Sequence, residues 1–538
     1  MARNRIIYAS QSVWCNGEVL YRVQSLGSTT TFTSEDIFEL GHLDIVDVVD
    51  DVPAVAVTLN TNDFGDVRTL AVLAQLSPVK LAMDATATDS TGNLVVVSGT
   101  DLAETSTFLH GVSLADFAVT CGNLPGVSLW APVQDECSLG TLADNIDQTL
   151  FLDELYVNSL EFGYTTGANA TENYGAETDM KMWLLNSGRF VSFDSFDDTD
   201  FSGGTADEVN LTLASGNTIA DLSGGLGFLR KDADGQPAVT FFDDSASEAT
   251  NYPVVAGTSA VAGSFVYDKN SVPSSPHKLL KPSDLTIDTS DRVEALYAAD
   301  GYAVGAANSY FNVLSDTERP DMLGALRQGQ VEVMIVDPNG TAAYDIAWRL
   351  TGCTVTADLT REALAELGHL GPYDRPLTLP IPITVTVDTT AGDLENWSKV
   401  AGRLADFEAG AGSLEDLDLS DLMAEEDLKL IVMVYAQTDE EAGGTGANRT
   451  VPTGSPLIGQ SYWVDGVDMG VYSATNQEYP LKTIMVEHLK ITDEGATLDM
   501  GANMTQTFGF RSTNDLYVIK GYVSPEYIHG ACTIRRNG

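Results

Sequence analysis

The chain has 538 residues, 43% of them hydrophobic, enough for sizeable cores and, at roughly 100–200 residues per domain, for three or four domains. Its 28 Lys and Arg stand against 77 Asp and Glu, giving a net charge of −49 and a pI near 4.1. That balance excludes an ordinary nucleic-acid grip, which needs clustered cations, and no apolar run approaches the roughly 20 residues that span a bilayer.

The opening Met1-Ala2-Arg3-Asn4-Arg5 runs straight into a strand-like segment without a signal-peptide core, so a soluble chain not secreted by that route is expected. Ile6–Ala9 and Glu18–Val23 read as two strands around Cys15-Asn16-Gly17, because Asn-Gly between apolar runs is a hairpin signal. Thr33 to Leu43 is expected to begin as a short helix, capped by Thr33 or Ser34 and ended by Gly41. Val52–Leu59 reads as a strand, with Pro53 pushing it toward an edge or a strand start. Asp66 to Leu76 reads as a helix, and Phe117–Val119 and Val127–Trp130 as core strands. Leu152–Tyr164, a Gly- and Asn-rich stretch from Thr165 to Tyr174, and Glu177–Leu185 read as a closing hairpin.

The same plan returns. Thr33-Ser34-Glu35-Asp36-Ile37-Phe38-Glu39-Leu40-Gly41-His42-Leu43 matches Thr360 to Leu370 in the form T-x-E-x-[IL]-x-E-L-G-H-L, so that Gly41 recurs as Gly368 at an offset of 327. Asn16-Gly17 has its match in Asn339-Gly340, Pro53–Leu59 in Pro380–Val387, and Gly65-Asp66 in Gly392-Asp393. Asp393 to Phe407 is a second helix with a stripe of Trp397, Val400, Leu404 and Phe407, and Leu428–Tyr435 a second core strand. Leu152, Val157, Leu160 and Phe162 share the spacing of Leu481, Val486, Leu489 and Ile491. Gly167–Gly175 matches Gly501–Gly509 at an offset of 334. Leu481–Ile491, Gly501–Phe510 and Leu516–Val523 then repeat the closing hairpin. A repeat of this order and length means one domain in duplicate.

The expected organisation is mainly β: a first β-sandwich or barrel domain over 1–200, an inserted β-rich module with linker over 201–323, and a second copy over 324–538, each copy with one main helix. In the insertion, Gly, Ser, Asp and Ala separate short strands such as Val209–Leu213 and Ala238–Phe242. Ser271 to Pro282 reads as a linker and Glu441 to Gly459 as a long exposed loop.

No catalytic, cofactor or metal residue is expected. There is no P-loop, no G-x-G-x-x-G after a strand, no H-E-x-x-H and no G-x-S-x-G. Lys231-Asp232-Ala233-Asp234-Gly235 holds a D-x-D-G fragment, but an EF-hand frame would put Arg230 first and Phe241 twelfth, so a solvated turn is expected. Asp194, Asp197, Asp198 and Asp200 form an acidic run read as hydrated surface, with weak divalent-ion binding as the alternative. His42 and His369 recur in register without a second ligand nearby and are read as structural. The five cysteines, Cys15, Cys121, Cys137, Cys353 and Cys532, include no C-x-x-C pair. Free buried thiols of a reducing cytoplasm are expected, with a Cys121–Cys137 bridge as the alternative.

In the repeated closing hairpin, Thr171-Glu172-Asn173-Tyr174 and Thr505-Gln506-Thr507-Phe508, preceded by Leu155–Phe162 and Val486–Ile491, the chain resembles the tail tube proteins of long-tailed phages and haloarchaeal tailed viruses. The resemblance covers each copy, about two thirds of the chain. It implies a non-enzymatic virion protein, assembled in the host cytoplasm into stacked rings around a bore for viral DNA, with tape-measure, tail-tip and terminator proteins as partners. Family subunits form hexameric rings, so a duplicated chain implies trimers with pseudo-sixfold symmetry. The long intervening module departs from the family pattern, and the acidity is compatible with a repelling lumen, with adaptation to high salt, or with both. Two other readings stand beside this one: a capsid decoration, baseplate or other virion structural protein, and a surface carbohydrate-binding protein.

Overall fold

The computed structural model describes most of residues 12–62, 68–73, 79–96, 108–114, 127–133, 148–300, 330–336, 350–390, 428–435, 449–523 and 533–536, with short interruptions inside these spans. The protein is mainly β, as its alternating segments require. Its first series comprises β1 (Trp14–Cys15), β2 (Glu18–Val19), β3 (Val23–Thr31), β4 (Ser34–Ile37), β5 (Asp47–Asp50), β6 (Ala54–Thr61) and the helix α1 (Arg68–Leu73). There follow β7 (Val79–Asp84), β8 (Thr86–Thr88), β9 (Leu94–Val96), β10 (Phe108–Ser113), β11 (Val127–Val133), β12 (Gln148–Thr165), β13 (Thr171–Thr178) and β14 (Met180–Leu185).

An intervening module runs from β15 (Arg189–Asp197) to β25 (Arg292–Asp300), with β16 to β24 lying between Glu208 and Leu280. The second series is β26 (Val331–Val336), β27 (Leu350–Asp358), β28 (Pro382–Thr389), β29 (Leu428–Val434), four short strands β30 to β33 between Arg449 and Glu478, β34 (Lys482–Thr497), β35 (Thr505–Thr513), β36 (Leu516–Lys520) and β37 (Thr533–Arg536).

The two series share one topology. In the first, β3 pairs β6, β6 pairs β13, β13 pairs β12, and β12 also pairs β11 and β14. In the second, β27 pairs β28, β28 pairs β35, β35 pairs β34, and β34 also pairs β29 and β36. The agreement extends to irregularities. The ladder shifts between Val23 and Ser25 and again between Leu350 and Gly352, which are the same positions at the offset of Gly41 and Gly368. Likewise it shifts between Val157 and Ser159 and between Ile491 and Asp493, the same positions at the offset of Gly167 and Gly501.

β12 and β34 are the long strands that make each unit a two-layer sandwich. Residues Gln148–Asp153 of β12 lie between β11 and β14, and Tyr156–Gly163 lie against β13 in the other layer. The chain changes layer at Glu154, whose φ is 49°, and β34 does so at His488, whose φ is 53°. A non-glycine residue in this left-handed region is uncommon, so its recurrence is a structural mark of duplication. Thr178 donates its hydroxyl to the Asp153 carbonyl beside one corner, and Ser512 donates to the Glu487 carbonyl beside the other.

One apolar cluster runs through both copies, from Val55, Val57 and Leu59 through Leu160 and Phe162 to Val355, Val385, Phe508 and Phe510. The module has its own nine-stranded sheet and core around Phe228, Phe265, Tyr267 and Tyr297. Leu229, Leu296 and Ala298 of the module bury Trp130, Phe151 and Leu184 on the β11–β12–β14 layer of the first copy.

Several sequence expectations need correction. Ser34–Ile37 is not helical but β4, paired with Asp50–Asp47, and Arg361 bridges Leu377 in the register Ser34 has with Asp50. An isolated two-turn helix is marginal, whereas Val46, Val48 and Val49 favour an extended partner strand. The strand spacing Leu152 to Leu481 is also slipped. The ladders put Leu155 opposite Val127 and Leu489 opposite Leu428, so Leu152 corresponds to Val486, at the same offset as Gly167 and Gly501. Apolar alternation alone admits such a slip because it repeats along the strand.

The return strand begins at Thr171, not Glu177, and breaks at Asp179 into β13 and β14. The Asn16-Gly17 hairpin joins Trp14–Cys15 to Glu18–Val19. The helix expected within Asp66–Leu76 is α1. Ile6–Ala9, Phe117–Val119, the helix Asp393–Phe407, Gly41, His42, Gly368, His369, Asn339-Gly340, Ser271–Pro276, most of Glu441–Gly459, Cys121, Cys137 and Cys532 lie outside the described residues.

Candidate functional site: an open sheet face with two free edges

The layer that carries the likeness between copies is one continuous eight-stranded sheet. Its order is β3, β6, β13, the C-terminal half of β12, β27, β28, β35 and the C-terminal half of β34. Within this sheet the copies join through the antiparallel ladder β12–β27, in which Leu160 opposes Ala357, Phe162 opposes Val355 and Tyr164 opposes Cys353; in the other layer β10 of the first copy pairs β36, and β7 pairs β37, across the copies. Among the described residues, no strand pairs with the outer edge of β3 or of Lys490–Thr497 in β34.

The inner strands of this sheet alternate, as half-buried strands must. One face enters the core through Val55, Val57 and Leu59, then Tyr174 and Ala176, then Ile383, Val385 and Val387. The opposite face is open and built of short side chains, among them Ala56, Thr58, Gly163, Thr354, Thr384 and Thr507. Its acids, Glu161, Glu177, Asp358, Asp388 and Asp493, outnumber the cations Lys490 and Arg511 among the described residues. Cross-strand bonds tie down the polar groups: Asn60 donates to Asn173, Asn173 donates to Glu161 at 3.0 Å, and Thr507 donates to Asp388 at 2.7 Å. Gly175 and Gly509 are required here, since a Cβ on either would stand 2.2 Å from Ser159 Oγ or Asp493 Oδ1.

The copies are also locked by charge. Lys482 of the second copy and Glu172 of the first form an ion pair with both side chains buried, and Tyr174 donates to Glu172 at 2.8 Å. Burial, and then the Glu172 carboxylate, push the phenol of Tyr164 well above its ordinary value. Nearer the rim, Arg375 donates to Glu177 at 2.8 Å and to both oxygens of Asp179 at 2.7 Å. Arg361 donates to the carbonyl of Val157 at 3.0 Å and lies 5.3 Å from the ring centroid of Tyr156.

The residues weighed for chemistry are occupied otherwise. Asp194, expected on hydrated surface, is instead buried in the module and accepts from Tyr297 at 2.7 Å, while Asp197 and Asp200 accept each other's backbone N–H at the short helix Asp198–Phe201. Asp232 accepts the Gln236 N–H at 2.7 Å and closes a turn. Among the described residues, no group of three or more His, Cys, Asp or Glu is placed to hold a metal ion, and no helix is long and apolar enough to cross a membrane. Cys15 and Cys353 are both buried, and burial followed by Asp388 pushes Cys353 up to about 12. No sequence motif points to Arg375 or Lys482, or to Glu172 as a charge partner; the only signal is that cations are scarce in this chain.

Comparison with models of known protein families gives no match, and none of the curated proteins is significantly similar.

Proposed function

We propose that this chain is the structural subunit of a viral tail tube, in which three copies close a ring and rings stack around a bore for DNA. The observation that carries the reading is the internal joint β12–β27, which serves as a template for joining the two free edges. Carrying that ladder over from each strand to its counterpart, β12 to β34 and β27 to β3, places Glu494 opposite Thr30, Ala496 opposite Ser28 and Thr497 opposite Gly27 of the next chain. Ser28 and Thr30 are only half-buried at the free edge, whereas their counterparts Val355 and Ala357 are fully buried by β12. An open ladder invites pairing with another chain, and closure into a ring removes it.

Three chains with eight strands each give 24 strands around the ring. At ~4.8 Å per strand and a tilt of ~40°, the circumference is roughly 150 Å and the backbone diameter roughly 50 Å. The open face would line that bore. Short hydroxylated side chains offer little to grip, and the excess of acids repels a polyanion, so DNA slides without sequence-specific contact. The module, packed on the opposite layer of the first copy, would sit outside. Ring ends would meet the tape-measure, tail-tip and terminator proteins of the virion.

Electron microscopy with mass measurement on the purified protein tests this reading. Rings or tubes whose repeat has three times the mass of the 57.4 kDa chain are expected. Monomers at all salt concentrations would sink it.

A further inference from the structure

The joint inside the chain includes a docked hairpin as well as a ladder. In the second copy, the segment bridged by Arg361 and Leu377 leans on the first copy, where Tyr156 and Glu177 are directly opposed across β12 and β13. Its two arginines meet Tyr156, Glu177 and Asp179 there. At this contact the charges that meet are arginines from the hairpin and acids from the first copy.

At the free edges the polarity is reversed. The counterparts of Tyr156 and Glu177 are Lys490 and Arg511, directly opposed across β34 and β35, and Arg511 is exposed. The counterparts of Arg361 and Arg375 in the β4–β5 hairpin are Ser34 and Val48. Residues 33–50 contain six acids, Glu35, Asp36, Glu39, Asp44, Asp47 and Asp50, and no Lys or Arg. The same hairpin leaves Phe32 and Phe38 exposed at 78% and 66%, with Val48 and Val49 also exposed.

We infer that the acidic β4–β5 hairpin docks on Lys490 and Arg511 of a second copy of this chain, and that the reversed polarity dictates head-to-tail order. This rests on the ring reading above and names its contact. The wrong junctions, which form only if the internal joint opens and exchanges between chains, oppose like charges: Arg361 and Arg375 against Lys490 and Arg511, or the acidic hairpin against Glu177 and Asp179. Such repulsion excludes alternative pairings more than it strengthens the correct one. Every joint around the ring therefore alternates first copy, second copy, first copy.

The test compares assembled mass for the full chain, the double variant Lys490→Glu/Arg511→Glu, and that variant with Ser34→Arg and Val48→Arg added. At low salt the double variant should need on the order of tenfold more protein to assemble, and the added arginines should recover the parent concentration. The difference should shrink in 1 M salt, where the Debye length is about 3 Å. If the parent assembles and the double variant matches it, or the arginines restore nothing, the polarity claim falls while the ring stands. If the parent never assembles, both fall.

Discussion

Glu172 and Lys482 come from different copies and bury both charges where the two copies meet. Removing one partner leaves the other charge without compensation, so Glu172→Gln or Lys482→Met should cost about 3–5 kcal/mol. The double variant Glu172→Gln/Lys482→Met should recover much of that. Denaturant unfolding of the three variants checks it, and additive losses would contradict a specific pair. Arg375→Ala removes three charge-assisted bonds at a partly buried site and should cost about 2 kcal/mol. Cys353 adds a pH sign: the fold favours the neutral thiol, so its contribution is whole below the ordinary value of 9 and is lost as pH rises toward about 12. Thiol labelling of the native protein at pH 8 should leave Cys353 unmodified. None of these pairs could be read from the sequence, because neither hydrogen bonds nor charge partners show a period.

Strands, by contrast, are legible wherever one face is buried. The alternation of Ala54–Thr61 announces that strand, and the match of Gly167 with Gly501 sets the offset that the ladders keep, whereas Thr171–Thr178, with Tyr174 and Ala176 its only apolar residues, reads as turn until Glu177. The β4 hairpin reads as a helix because its acids and its Gly41 also suit one, and only the opposed valines of β5 decide otherwise. The layer change at Glu154 and His488 is invisible, since neither residue type announces positive φ. At this scale the free edge of β3 makes the prediction. Ser28→Lys puts a charge on the core-facing side of an unpaired edge, where the lone chain tolerates it and an added strand would bury it. At a concentration where the parent too is monomeric the variant should unfold at about the parent temperature, and where the parent assembles it should remain monomeric by mass photometry. A destabilised monomer, or assembly unchanged, would contradict the edge role.

For the whole molecule, a charge of −49 makes both folding and assembly sensitive to ionic strength. Screening shortens from about 30 Å at 0.01 M to about 3 Å at 1 M, so thermal stability and assembled fraction should both rise with salt.

In the proposed ring, β34 of one chain continues into β3 of the next as β12 continues into β27, and three chains close it. Cysteines placed at Ser28 and Ala496 face each other in that register at the ~4.5–5.5 Å Cα spacing of opposed antiparallel residues, a distance a disulfide spans. Mild oxidation of Ser28→Cys/Ala496→Cys, followed by a non-reducing denaturing gel, should give cross-linked dimers and trimers and nothing larger. A ladder running past three, or no cross-link beyond that of the single-substitution controls Ser28→Cys and Ala496→Cys, would contradict a closed three-chain ring.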